Sequence, residues 1–400
     1  MKKRLLILSH AMELGGAERS LAGLLQGLDP DRWETDLFLL RHEGELMDAI
    51  PSWVRLLPAV PAYTVLARPM KETLREGHLL LTAARLAGKV AARCYAKRHR
   101  HTDSGVALEY SHKYTCPLMP RIAPDTEYDL AISFLTPHYF VASKVRAKRK
   151  LAWIHTDYTR VQVDIPSETV MWDAYDGIVS ISDAVSESFI KTFPSLAGKV
   201  VQMENILPEA LIRRQAAAFA VADEMPKKGI RLLSVGRYCT AKNFDNLPDI
   251  CARLVKDGLD VYWYVIGFGP DEGLIRQRIA EAGMEERVIL LGKKENPYPY
   301  MAACDLYLQP SRYEGKCVSV REAQLLGKPV AITRYPTSAG QLTDGVDGVI
   351  VPMDNEGCAA GIASLLRDPD RMAALSRACG ERDYTNRSEI EKLNAWTEKL

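Results

Sequence analysis

Three runs decide the fold: Asp305-Leu-Tyr-Leu-Gln-Pro310, Glu314-Gly-Lys-Cys-Val-Ser-Val-Arg-Glu322 and Val330-Ala-Ile-Thr333. The first is short, apolar and stopped by proline, the pattern of a buried strand. From Val318 to Leu326 the spacing of apolar residues is helical, and Gly327 follows where a residue past the last turn often needs positive φ. After Pro329 a second short apolar run completes a strand–loop–helix–strand unit. Glu314 therefore lies on the loop leaving the carboxyl end of a strand, where open α/β sheets place their ligands. Glu322 lies inside the helix. The amides around Cys317, Val318 and Ser319 open that helix and read as unpaired donors, suited to an anion such as a diphosphate.

The same alternation extends in both directions. Upstream, Arg4–Ser9, Thr35–Leu40, Asp129–Phe134, Lys150–Ile154, Gly177–Ile181 and Lys199–Met203 read as strands, with helical stretches between them. Gly16–Leu28 is helical, with Leu21, Leu24, Leu25 and Leu28 on one face. Ser182 or Asp183 is placed to cap a helix running to about Thr192. The pattern lapses over 205–229, read as a linker, and restarts as strand 230–235, helix 243–257, strand 261–266, helix 271–283 and strand 287–291. Short apolar strands alternating with helices predict doubly wound parallel sheets. The expected organisation is a domain over 1–204, the linker, a second domain over 230–385, and a terminal amphipathic segment over 386–400 carrying Ile390, Leu393 and Trp396.

At 400 residues the chain suits two domains. Its 47% hydrophobic and 26% charged residues are those of a soluble globular protein, and the net charge of +1 gives no sign of nucleic-acid binding. The eight cysteines show neither a C-x-x-C pair nor zinc spacing, and read as reduced thiols in a cytoplasmic protein. No apolar run is long enough to span a bilayer. The apolar run after Met1-Lys-Lys-Arg4 reads as a first strand rather than a signal peptide.

The segment 311–330, SRYEGKCVSVREAQLLGKPV, resembles the E-x7-E signature of glycosyltransferase family 4, the retaining transferases of GT-B fold. The resemblance extends to Ser234-Val-Gly-Arg237 with Lys242-Asn243, to Gly267-Phe-Gly269, to Leu291-Gly292 and to Gly15-Gly16-Ala17-Glu18. It implies two Rossmann-like domains facing across a cleft, with the terminal helix crossing back onto the first. By the same resemblance Arg237 and Lys242 bind the donor diphosphate, Glu322 takes the nucleotide ribose, and Glu314 and His155 stand at the transferred sugar. Val318 and Ser319 would contribute amides. The wording Gly-Lys-Cys-Val-Ser after Glu314 departs from the commoner Gly-Phe-Gly, which bears on the sugar pocket.

The residues themselves leave alternatives. Arg237 and Lys242 can start at a sheet's carboxyl edge, where two cations would stabilise charge developing on a leaving phosphate, or they are plain surface cations. A carboxylate such as Glu322 accepts from two hydroxyls well. Gly267-Phe-Gly269 lacks the dinucleotide spacing and reads as a tight turn bringing backbone near a nucleotide. Gly15-Gly16 allows close approach of a ligand or is a tight turn only, and Glu18 touches an acceptor or favours the helix start. His155 is a pocket residue or a structural hydrogen-bonder, and Asp157 carries less weight. Asp29-Pro-Asp31 and Asp368-Pro-Asp370 read as turn chemistry, so no metal is implied.

From Arg68 to His101 nine Lys/Arg and two Glu give +7, leaving −6 elsewhere by difference from +1. Arg85, Lys89, Arg93 and Lys97 recur every four residues beside leucines. Such a helix lies on an anionic membrane or packs on its domain as a solvated helix. The resemblance implies transfer of a sugar from a nucleoside diphosphate, most readily UDP, to a hydroxyl of a lipid-linked or surface polysaccharide acceptor, as in capsule and cell-wall polysaccharide transferases. The enzyme would be metal-independent and cytoplasmic, and peripheral on the inner face of the plasma membrane if the basic segment docks there. The rivals are a GT-B UDP-sugar epimerase and a non-catalytic sugar-nucleotide-binding subunit.

Overall fold

Leu5-Leu-Ile-Leu8 and Val261-Tyr-Trp-Tyr-Val-Ile266 bury every side chain, so each strand must be covered on both faces. Helix layers on either side of a parallel sheet do this. The computed structural model of the chain, which describes residues 2–13, 15–101, 105–156, 158, 161–314 and 316–398, has that architecture twice. One unit is Met1–Pro208 with Asn386–Leu400; the other is Glu209–Thr385.

In the first unit the strands are β1 (Lys3–Ser9), β2 (Trp33–Leu39), β3 (Arg55–Leu56), β4 (Tyr128–Ser133), β5 (Ala147–Ile154), β6 (Gly177–Ser180) and β7 (Val200–Gln202). They form a parallel sheet in the order β3-β2-β1-β4-β5-β6-β7, with Leu5 opposite Thr35 on one side and Leu130 on the other. The order reverses between β1 and β4, and the loops leaving that switch point diverge. In the second unit β8 (Ile230–Val235), β9 (Val261–Ile266), β10 (Val288–Gly292), β11 (Leu306–Gln309), β12 (Val330–Thr333) and β13 (Val349–Val351) run parallel in the order β10-β9-β8-β11-β12-β13. Here the switch point lies between β8 and β11.

A short polar chain crosses the second core. Trp263 Nε1 donates to Ser234 Oγ at 2.9 Å, and Ser234 donates to Leu308 O at 2.6 Å. It ties β9, β8 and β11 together without leaving a buried donor unmade, an omission that costs about 1–3 kcal/mol. Ser182 caps helix Asp183–Thr192, accepting from the Val185 amide at 3.3 Å. Gly327 has φ +71° after helix Val318–Leu325, as its place past the last turn requires.

The structure revises several boundaries. The helix expected over 243–257 is Leu247–Lys256: two 3-10 turns precede it, and Asn243 between them sits at φ 60°, which breaks any longer helix. The 205–229 stretch contains helix Glu209–Ala216, and buried Leu211, Ile212, Val221 and Met225 anchor it in the second unit. The terminal helix Ile390–Glu398 packs within the first unit, where Trp33 Nε1 donates to Asn394 Oδ1 at 3.1 Å.

Arg85 does not belong to an exposed cation stripe. Within helix Leu79–His99 it is half-buried, and its guanidinium donates to Val65 O at 2.5 Å and Arg68 O at 2.6 Å. Of its leucines only Leu81 is buried in the core of the unit. Gly88 and Ala92 are buried with it, and a Cβ on Gly88 would stand 2.7 Å from Tyr110 O, so small residues allow close packing on helix Val106–Thr115.

Candidate active site

Each switch point carries a cluster of the residues singled out by sequence. In the second unit the cluster begins with the loops after β8 and β11. Arg312 joins them: its guanidinium donates to Asp245 Oδ1 at 2.8 Å and Oδ2 at 2.7 Å, and its amide donates to Ala241 O at 2.8 Å. This holds Asp245 below the usual carboxylate range, the pull of Arg312 outweighing the opposing effect of burial.

The clamp brings Lys242 and Glu314, 72 residues apart in sequence, into contact: Lys242 Nζ donates to Glu314 Oε1 at 2.6 Å. Their side chains keep only 16% and 12% exposure. Burial opposes the ammonium charge, but the neighbouring Cys317 and Glu314 outweigh it, so the Lys242 pKa lies above its ordinary value. Ser311 Oγ also donates to Glu314 Oε1, at 2.6 Å, and Gln309 Nε2 donates to Ser311 Oγ at 2.9 Å. A hydrogen-bonded chain thus runs from the end of β11 to the carboxylate and sets its position.

The turn into helix Val318–Leu325 differs from expectation at one amide. Cys317 N–H donates to Gln341 Oε1 at 2.7 Å, and Gln341 Nε2 donates back to Cys317 O at 3.1 Å. The Cys317 amide is therefore not available, because a side chain from beyond β12 caps it. The amides of Val318 and Ser319 have no acceptor among the described residues. Glu322 is buried and accepts from Tyr298 Oη at 2.7 Å through Oε1. Arg237 is exposed just past β8, with no ion-pair partner among the described residues. Gly315 lies outside the described residues.

Gly267 has a different reason to be glycine from the one its sequence suggests. A Cβ there would lie 1.8 Å from Gly236 O, and one at Gly269 would lie 2.2 Å from Tyr238 O. Backbone approaches backbone: Gly236 N donates to Ile266 O at 3.0 Å and Tyr238 N to Phe268 O at 2.9 Å. These glycines lock the loop that carries Arg237.

In the first unit, Gly16 opens helix Gly16–Gly27 after β1. It is exposed, and a Cβ there would meet nothing within 4 Å, so no protein contact requires glycine. The Glu18 pKa is raised, chiefly by burial. His155 follows β5 with its ring 4.7 Å from that of Phe134, and its pKa is pushed down to about 4 by burial. It is one of four histidines around this edge. His10 follows β1 and is also lowered to about 4, first by burial and then by Arg41. His112 and His138 are held well below the ordinary value, first by burial and then by other histidines of the group. Each ring keeps one buried nitrogen without a partner: Nε2 of His10, His138 and His155, and Nδ1 of His112. Burial holds the four imidazoles toward their neutral forms, and their unpartnered nitrogens lie beneath the surface rather than open to solvent. Asp157 lies outside the described residues.

Both D-x-D strings serve turns. Asp29 Oδ1 accepts from the Asp31 amide at 2.9 Å, and Asp368 caps helix Pro369–Glu381 by accepting from the Arg371 amide at 2.9 Å. Among the described residues no three His, Cys, Asp or Glu side chains are placed to share a metal ion.

Sequence reasoning missed Ser311, Gln341 and Tyr298. Ser311 sits three residues before Glu314 and was within reach of inspection. Gln341 and Tyr298 arrive from distant elements, and no spacing announces them.

Residues 219–382 match the family described as Glycosyl transferases group 1. The chain is 28% identical over 210 residues to the lipopolysaccharide core biosynthesis glycosyltransferase LpsD of Rhizobium meliloti, covering 51% of this chain and 60% of that one. It is 31% identical over 170 residues to the N-acetylgalactosamine-N,N'-diacetylbacillosaminyl-diphospho-undecaprenol 4-alpha-N-acetylgalactosaminyltransferase of Campylobacter jejuni, covering 42% and 43%. The matches thus span 60% or less of these relatives' lengths. The fold of Anabaena Alr3699/HepE, solved with UDP, superposes with a TM-score of 0.62 at 16% identity over 100% of both chains. A variant of S. aureus TarM solved with fondaparinux, alpha-GlcNAc-glycerol and UDP gives 0.61 at 13% identity over 99% of both. At these identities the likeness speaks for the fold, which is GT-B, two Rossmann-like α/β domains.

Proposed function

We propose that this chain is a retaining glycosyltransferase of the family 4 type. It moves a sugar from a nucleoside diphosphate, UDP by preference, to a hydroxyl of a lipid-linked or surface polysaccharide acceptor. The observation that carries the reading is the Lys242–Glu314 contact at the β8/β11 switch point, with the Val318 and Ser319 amides open beside it and Glu322 on the same helix. A cation, two helix-start donors and a carboxylate at the mouth of an α/β sheet form a receptor for a diphosphate joined to a ribose. The matched family and the names of the relatives support the same chemistry.

In this reading Lys242, Arg237 and the two amides stabilise charge that develops on the leaving diphosphate. Glu314, fixed by Ser311 and Lys242, stands beside the sugar. Glu322 accepts from the ribose hydroxyls while Tyr298 holds its carboxylate. The cations do the work that a divalent ion does elsewhere, so no metal is required. In the first unit, His155 and Gly16 follow β5 and β1 at the carboxyl edge of the sheet, and in this reading that edge serves hydroxyl-bearing glycan. Action from the cytoplasmic side, where nucleotide sugars are made, goes with this reading; among the described residues no helix is long and apolar enough to cross a membrane.

A thermal-shift panel of UDP, GDP, ADP and their common sugars tests the donor. The proposal expects selective stabilisation by UDP or a UDP-sugar, about 2.7 kcal/mol at 100 times the dissociation constant. Incubation of the effective UDP-sugar without acceptor should give slow hydrolysis; an interconverted UDP-sugar would instead make the chain an epimerase.

A further inference from the structure

Helix Leu79–His99 packs on its unit through Leu81, Gly88 and Ala92 and presents its other leucines and Val90 to the outside. Leu79, Leu80, Leu86 and Val90 are 60%, 74%, 52% and 51% exposed, whereas Gly88 and Ala92 fill the packed side. Positions 79, 83, 86, 90, 93 and 97 are spaced alternately by four and three, which places them on one helix face. Along that face the side chains are Leu79, Ala83, Leu86 and Val90, followed by Arg93 and Lys97. Lys89 flanks it. The helix contains no Asp or Glu, and Lys89, Arg93 and Lys97 have no ion-pair partner among the described residues.

A contiguous apolar face on an exposed helix has a function or is a liability. The cations select the occupant. Two parallel copies joined along this face would set Arg93 and Lys97 against their like, and antiparallel copies would set them against leucines. An anionic bilayer satisfies both halves at once, taking apolar side chains below its headgroups and cations at the phosphates.

We propose that this face is a membrane-docking surface for anionic lipid. Leu79, Leu86 and Val90 enter the headgroup–acyl boundary, while Lys89, Arg93 and Lys97 lie at the phosphates. The helix then rests in the plane of the membrane, consistent with Arg85 being tied back into its own domain and unavailable to lipid. The inference goes beyond glycosyl transfer and stands on this helix alone.

The test is co-sedimentation of the full chain with phosphatidylcholine vesicles, with and without phosphatidylglycerol. Two variants are compared: Lys89→Gln/Arg93→Gln/Lys97→Gln and Leu79→Ser/Leu86→Ser/Val90→Ser. All six positions are exposed, so both variants should fold, checked by an unchanged thermal transition. The parent should bind the anionic vesicles far more than the neutral ones, and less as salt rises. The cation variant should lose about a hundredfold in vesicle affinity, roughly fivefold for each surface-adjacent charge. The apolar variant should lose binding that high salt does not already remove. Absence of parent binding, or binding unchanged in either variant, overturns the proposal. So does a concentration-dependent dimer that the apolar variant abolishes in a chain that ignores vesicles.

Discussion

Lys242→Met separates structural from donor-binding contributions. The substitution keeps the unbranched apolar stem, one atom shorter, and removes the charge that faces Glu314 at 2.6 Å. Removing one partner of a fully buried pair costs about 3–5 kcal/mol. Here both side chains keep 12–16% exposure, and Ser311 still donates to Glu314 at 2.6 Å. A loss of about 2–3 kcal/mol is therefore expected, or about 5–10 °C in the melting of the second unit. Adding Glu314→Gln removes the stranded charge, and the double variant should recover most of that stability. Donor affinity should behave differently. Losing a charge-assisted contact to diphosphate costs about 1.5–3 kcal/mol, so UDP-sugar binding by calorimetry should weaken roughly 10- to 150-fold in both variants. Recovery of stability without recovery of affinity is the expected signature. If affinity is unchanged in Lys242→Met, or returns with Glu314→Gln, Lys242 is only a structural partner of Glu314.

Arg237→Ala should leave stability within about 0.5 kcal/mol, because the side chain is exposed, yet raise the KM for the donor; equal kcat/KM at subsaturating donor would remove Arg237 from the site. Activity should survive excess EDTA, and a complete loss restored by Mg²⁺ would reopen the metal question. Acid should destabilise the first unit. His10 and His155 are lowered to about 4, so the unfolded chain takes up protons first as pH falls below about 6.5. The loss is on the order of 1.4 kcal/mol per histidine per pH unit and ends near pH 4. Glu168, pushed up to about 7 by burial, works the other way between pH 7 and about 4.5. The four histidines should outweigh it, and a His10→Asn/His155→Asn variant should lose less stability between pH 7.5 and 5; an equal loss would show that these rings do not set the response.

The sequence made the scaffold legible because its strands are short, apolar and bounded by proline and glycine. Burial on both faces leaves such runs few other structures. The residues of the candidate site were legible as positions at strand ends, not as contacts. That Lys242 reaches Glu314 depends on Arg312 bridging two loops, and that one amide of the helix start is capped depends on Gln341; neither has local spacing to read. Gly267-Phe-Gly269 looked like a ligand turn because glycine reports only that something comes close, and here it is the protein's own backbone. For the basic helix the composition left two readings open, an apolar face turned to a membrane or packed on the domain, and only the structure separates the residues: Leu81, Gly88 and Ala92 make the packed face, while Leu79, Leu80, Leu86 and Val90 lie outside. Arg85 has the spacing of a surface stripe but donates to two carbonyls, and spacing alone cannot distinguish those roles.

A crystal structure of the chain with the UDP-sugar that stabilises it most tests the central claim directly. The account predicts the diphosphate within hydrogen-bond distance of Lys242 Nζ and the Val318 and Ser319 amides, with the ribose hydroxyls on Glu322. A nucleotide seated away from the β8/β11 switch point, with Lys242 still on Glu314 and the amides untouched, would contradict it.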